Sequence, residues 1–193
     1  MIECADFSHW QTSVDFVALK AAGVAAVFLK ATQGEGWIDQ TFTQRCVEAH
    51  AAGLLYGAYH FCDDSPPAMQ TAHFLAVAAG CTPVLALDVE WNESDTVSIK
   101  QAAEMVARIQ MATRRVPVIY MGQYGPNKDG TGLPNSVLSR CPLWIPNDTA
   151  TSEPPLPPGW SNWTFWQYAD EPHDKDRFNG SLAELEAFWG GSV

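Results

Sequence analysis

Positive charge is scarce in this sequence: 11 Lys and Arg stand against 22 Asp and Glu, for a formal net charge of -11. Such a surface repels a polyphosphate backbone and has no basic stripe to release counterions, so nucleic acid is not an expected partner. Cysteine pairing is also missing. Cys4, Cys46, Cys62, Cys81 and Cys141 contain no CxxC, and an odd number cannot all pair within one chain, so they read as reduced core thiols. No run of about 18 apolar residues occurs, which excludes a membrane-spanning helix. The stretch from Met1 to Asp6 lacks the basic region and apolar segment of a signal peptide and reads as a first strand, in keeping with synthesis in the cytoplasm. The histidines His9, His50, His60, His73 and His173 form no HExxH or other ligand spacing, so no metal is expected. A GxSxG elbow, a Walker loop and a GxGxxG leading into a helix are all absent, and no cofactor is expected.

What is present suits one folded unit spanning 1–193, since 47% hydrophobic residues suffice for a core. Short apolar runs alternate with helical periods. The strand candidates are Ile2 to Phe7, Ala25 to Ala31, Leu54 to Phe61, Val84 to Glu90, Val116 to Met121, Leu143 to Pro146 and Trp163 to Tyr168. Most are apolar at consecutive positions, as in parallel strands covered on both faces. Helical segments run from Val14 to Ala22, Gln40 to Ala52 and Ala68 to Ala79, stopping at Gly23, Gly53 and Gly80; Val97 to Arg115 and Leu182 to Trp189 are also amphipathic. Pro126 to Pro158 reads as long loops around one short strand. This βαβα order calls for an α/β fold with a mostly parallel sheet, closed or nearly closed.

The sharpest feature is Leu85-Ala86-Leu87-Asp88-Val89-Glu90-Trp91, an apolar strand that ends in two acids one residue apart. Alternation puts Asp88 and Glu90 on the same side, with Cα atoms roughly 6.5 to 7 Å apart, at the strand end where parallel α/β folds place their sites. Glycosidases need one protonated carboxyl to protonate the leaving oxygen and one ionised group to stabilise the charge on the sugar. Close acids beside an apolar wall supply both, because burial and repulsion push one pKa up. Glu90, nearer the rim and beside Trp91, is the expected acid, and Asp88 the charge stabiliser.

Other strand ends carry Asp6, His60 and Phe61, and Asp170, Asp174 and Asp176 follow the last strand. Eight Trp are many for this length; Trp10, Trp37, Trp91, Trp144, Trp163 and Trp166 fall near strand ends or loops, where aromatic faces suit sugar rings as well as core packing. Lys30, a lone cation among acids, reads either as a partner keeping Asp6 or Asp88 ionised or as a structural ion pair. His60 reads equally as a substrate contact or a hydrogen-bonded structural residue.

In order, Asp6-Phe7-Ser8, Leu29-Lys30-Ala31-Thr32-Gln33-Gly34, Gly53 to Phe61, Leu87-Asp88-Val89-Glu90, Pro117 to Tyr120, Leu143-Trp144-Ile145, Trp166-Gln167-Tyr168 and Asp174 to Gly180 make the whole chain resemble glycoside hydrolase family 25, the bacterial and phage muramidases. The resemblance implies a modified, flattened TIM-like β/α barrel and cleavage of the β-1,4 bond between N-acetylmuramic acid and N-acetylglucosamine in peptidoglycan. It maps the four family acids to Asp6, Asp88, Glu90 and Asp174, with Asp176 in reserve. It also implies retention of configuration with the substrate's acetamido group as nucleophile, while leaving open whether Asp88 is a nucleophile or an electrostatic partner. Resemblance and strand-end placement together make Tyr59, Tyr120, Trp144, Trp166, Gln167 and Tyr168 the expected substrate-binding residues. Gln33 departs from the family's usual Glu. A monomer acting on the bacterial wall after holin-type release is expected. A chitinase-like glycosidase and a non-catalytic glycan-binding barrel are the competing readings.

Overall fold

Strands and helices alternate along the chain: β1 (Ile2–Phe7), α1 (Phe16–Ala21), β2 (Ala26–Gln33), β3 (Trp37–Ile38), α2 (Phe42–Ala51), β4 (Leu55–Phe61), α3 (Pro67–Ala78) and β5 (Leu85–Asp88). They continue with α4 (Ile99–Thr113), β6 (Val118–Tyr120), β7 (Leu143–Pro146), β8 (Phe165–Ala169), β9 (Lys175–Phe178) and α5 (Leu182–Gly190). The computed structural model describes residues 1–123, 125–126, 133, 136–148 and 153–191. Part of the loop region expected from Pro126 to Pro158 therefore lies outside the described residues; within it, a 3-10 turn at Val137–Arg140 precedes the expected strand β7.

Hydrogen bonding runs in the order β1-β9-β8-β7-β6-β5-β4-β2, and β2 pairs back onto β1, which closes a barrel. All neighbours are parallel except β9, which runs antiparallel between β8 and β1. The two-residue β3 adds an antiparallel flap to β2. Neither β3 nor β9 is visible in the apolar pattern. In β9 the alternation is carried by Lys175 and Arg177 against buried Asp176 and Phe178, a sequence with little of the β-branched content that marks strands.

The consecutive apolar positions of the strands serve two separate cores. Along β2, Ala26 and Phe28 point into the barrel, while Val27, Leu29 and Ala31 point out beneath the helices. Helical Phe42, Phe74, Met105 and Ile109 complete the outer layer. Inside, Phe28 stacks on Trp144 with ring centroids 4.5 Å apart. Gly57, opposite Phe28 in the register, makes room for that ring: a Cβ there would lie 2.8 Å from it.

Helix ends follow their local chemistry. Asp15 caps α1, and capping boxes start α4 at Ser98 with Gln101 and α5 at Ser181 with Glu184. Gly23 and Gly53 take the left-handed conformation after α1 and α2. Helix α4 stops at Thr113, and Arg115 beyond it donates to the last carbonyls of α5, at Phe188 and Trp189. Leu185 and Trp189 of α5 join the interior core, so this helix seals the end where the parallel strands begin. The opposite end is left open. All five cysteines are free thiols, four of them buried. Among the described residues no helix is long and apolar enough to cross a membrane.

Candidate active site

At the open end, inward-facing residues of successive strands line a cavity of about 260 Å³. Asp6 comes from β1, Lys30 from β2, Tyr59 from β4, Asp88 from β5, Tyr120 from β6, Trp144 from β7 and Gln167 from β8; Glu90 and Asp174 sit just off strand ends. Alternation works as expected around Val89, which is fully buried in the outer core and donates its N–H to the Tyr120 carbonyl, leaving Asp88 and Glu90 on the cavity side. Asp174 reaches the mouth because β9 runs against its neighbours, so its start meets their ends. Two residues on, Asp176 faces the same way one layer deeper and is completely buried.

Hydrogen bonds lock this ring of side chains. The Tyr120 hydroxyl donates to Gln167 Oε1 at 2.9 Å, and Gln167 Nε2 donates to Asp6 Oδ2 at 2.8 Å. Trp144 Nε1 donates to Asp176 Oδ1 at 2.7 Å, and its ring packs edge-on against Tyr59 and Tyr120. Lys30 forms no ion pair with Asp6 or Asp88. Its ammonium instead donates to Gln33 Oε1 at 2.9 Å and lies over the rings of Phe61 and Trp37, 4.8 and 5.2 Å from their centroids. Gln33 thus holds the cation without neutralising it.

The electrostatics follow from burial. Desolvation and then the neighbouring Glu90 push Asp88 well above the ordinary carboxylate range, against the pull of Lys30. Desolvation also raises Glu90, again opposed by Lys30. Asp6 is raised by burial, then by Asp176 and Asp174, and Asp174 by burial and Asp170. Burial also lowers Lys30, which Asp88, Asp39 and Glu90 counteract. Crowding and burial together make it costly for all of these carboxyls to be ionised at once. Asp88 Oδ1 is a buried acceptor with no hydrogen-bond partner among the described residues.

Of the expected site residues, Asp6, Asp88, Glu90, Asp174, Tyr59, Tyr120, Trp144 and Gln167 come together. Trp166 and Tyr168 do not. They flank inward-facing Gln167 on the same strand, so both point to the barrel's outside: Trp166 is buried in the outer core and donates to the Asn147 carbonyl, while the Tyr168 hydroxyl donates to Glu3 and its ring carries Arg177. His60 likewise faces outward, held between Thr32 Oγ1 at 2.7 Å and Gln70 Oε1 at 3.1 Å, and burial pushes it down to about 4. Gln70 Nε2 donates to the Asp63 and Ser65 carbonyls, which leaves its oxygen to accept the His60 Nε2–H; the ring is a neutral structural element. Ser8 and Gln11 line the cavity without having been singled out, together with Trp10 and Phe61, which the sequence had marked only by their place near a loop and a strand end. The period-two steps from Asp6 to Ser8 and from Tyr59 to Phe61 were the available signal.

The family model for Glycosyl hydrolases family 25 matches residues 5–177. Lysozyme M1 of Streptomyces globisporus is 32% identical over 209 residues, covering 96% of this chain and 70% of that protein. The N,O-diacetylmuramidase of a Chalaropsis species is 30% identical, covering 94% of this chain and 95% of its own. Among solved structures, a bacterial lysozyme from Streptomyces coelicolor superposes with a TM-score of 0.87 at 29% identity, covering 100% of this chain and 98% of that one. A family GH25 lysozyme from Aspergillus fumigatus gives 0.84 at 30% identity, covering 97% and 98%. With a matching family model over nearly its whole length and the same barrel, the chain belongs to glycosyl hydrolase family 25.

Proposed function

We propose that this chain is an N-acetylmuramidase that cleaves the β-1,4 bond between N-acetylmuramic acid and N-acetylglucosamine in peptidoglycan. The observation that carries the reading is the Asp88–Glu90 pair, a buried and a half-buried acid that repel each other in a sugar-sized cavity. Lysozyme and muramidase relatives that cover nearly the whole chain support it.

The pair shares a proton that rests on Asp88, the more strongly raised member, before substrate enters, and passes to Glu90, the outer and less buried member, where the entering glycosidic oxygen meets it. Glu90 gives that proton to the leaving oxygen as the glycosidic bond breaks. Asp88, left anionic by the passage of its proton to Glu90, stabilises the developing oxocarbenium charge and accepts the N–H of the substrate's acetamido group, whose oxygen attacks the anomeric carbon. Water then opens the cyclic intermediate, returning a proton to Glu90, with configuration retained. Asp6 and Asp174 close the cavity on the far side, while Tyr59, Tyr120, Trp144 and Gln167 present rings and hydroxyl or amide groups to the sugars.

Mass spectrometry of purified peptidoglycan after digestion tests the proposal. Fragments with N-acetylmuramic acid at the new reducing end are expected. N-acetylglucosamine at that end, or release from chitin with walls left whole, would replace it with a different glycosidase; wall binding with no new reducing ends would make it a binding barrel.

A further inference from the structure

Below the cavity a second pair of carboxyls meets. Asp176 is completely buried; Oδ1 accepts from Trp144, and Oδ2 has no hydrogen-bond partner among the described residues. The carboxyl of Asp6 adjoins it and acts on it directly, while Asp6 Oδ2 already accepts from Gln167. Strand pairing forces the meeting, since Cys4 lies opposite Asp176 and Asp6 is the next inward residue of β1. The titratable groups facing Asp176 are Cys4, Asp174 and Tyr120, with Glu3 acting on it from the outer face of β1; Tyr59, Asp88, Tyr120 and Asp174 face Asp6. None is a cation. Lys30 acts on Asp88 and Glu90 at the opposite wall.

Two carboxyl groups that meet in a dry interior with no donor between them need a proton to stay together. We infer that Asp6 and Asp176 share one proton as a carboxylic acid–carboxylate pair, and that Asp176, sealed from substrate, is a positioning residue that holds Asp6 at the cavity floor. Its role in turnover rests on the muramidase reading, whereas the shared proton does not. Once the proton leaves, two adjacent anions push apart, Asp6 is displaced from Gln167, and activity falls on the alkaline side.

Asp176→Asn tests this directly: its amide oxygen accepts from Trp144 and its Nδ2 donates to Asp6, a permanent copy of the protonated pair. The full chain carrying aspartate labelled with carbon-13 at the side-chain carboxyl is titrated by NMR. A carboxyl titration above the ordinary aspartate range is expected in the parent and missing in Asp176→Asn, while the high titration from the Asp88–Glu90 wall persists in both. The alkaline limb of kcat/KM on peptidoglycan moves up by about one pH unit or more in the variant. If Asp176→Asn does not fold, Trp144→Phe serves instead: losing the indole donor must move the pair's titration higher. Identical high-pH titrations in parent and Asp176→Asn, or an unmoved titration in Trp144→Phe, would overturn the inference. A protein inactive on walls that still shows the Asp176-dependent titration would sink the functional reading and leave the shared proton intact.

Discussion

Glu90→Gln pushes activity and stability in opposite directions, which makes it the most discriminating single change. The amide keeps the shape of the side chain but has no proton to give, so kcat/KM on peptidoglycan falls by about 10² to 10⁴-fold, or about 2.7 to 5.5 kcal/mol of transition-state stabilisation. Stability moves upward because the Glu90 charge is, after burial, the main cause holding Asp88 above its ordinary range. A carboxyl raised in the folded state contributes stability that is complete below the unfolded pKa and lost as pH rises through the folded one. Without Glu90, Asp88 keeps Lys30 as its near charge and titrates lower, so less is lost; each unit of that downward shift is worth about 1.4 kcal/mol at pH values above the titration. The variant and parent should therefore melt alike near pH 4, and the variant should melt higher at pH 8, while failing to clear a wall suspension. Activity within about tenfold of the parent would refute the donor role. A variant less stable than the parent at pH 8 would refute the electrostatic account of the pair.

Asp6, Asp88, Glu90, Asp174 and Asp176 are all raised, so the folded chain binds more protons than the unfolded one above the ordinary carboxylate range; melting temperature should fall between about pH 5 and pH 8. His60 opposes that fall at its acid end, because its lowered pKa makes the unfolded chain bind more protons between the ordinary imidazole value and about 4; His60→Gln should therefore make the fall of melting temperature with rising pH steeper there. Gly57→Ala drives a methyl into the Phe28 ring and toward the Val84 carbonyl, and should cost about 1 to 3 kcal/mol in urea unfolding. Tyr168→Phe loses the hydrogen bond to Glu3 on the outer face and should cost about 1 kcal/mol of stability with KM unchanged; a raised KM would return Tyr168 to the cleft.

The sequence was most legible where one local rule had one outcome. Consecutive apolar residues in β2, β4 and β5 required cover on both faces, and the barrel interior and the helices supply it. The DxE at the end of β5 needed nothing beyond strand alternation to place both acids on one side. The same rule, applied to β8, would have turned Trp166 and Tyr168 outward once Gln167 was placed inward; strand-end position and likeness to a family motif do not carry that information.

By itself the chain determined the order of its parallel strands and its helices, the carboxylate pair and the family, because these depend on period, spacing and motif order. Only the closed barrel decided the rest. It set β9 antiparallel, so that Asp174 reached the mouth and Asp176 was buried against Asp6, and it left Lys30 with Gln33 and two aromatic rings rather than a carboxylate. Those outcomes depend on which strands become neighbours and which groups are cut off from water, and both are set by packing between residues as far apart in the chain as Asp6 and Asp176.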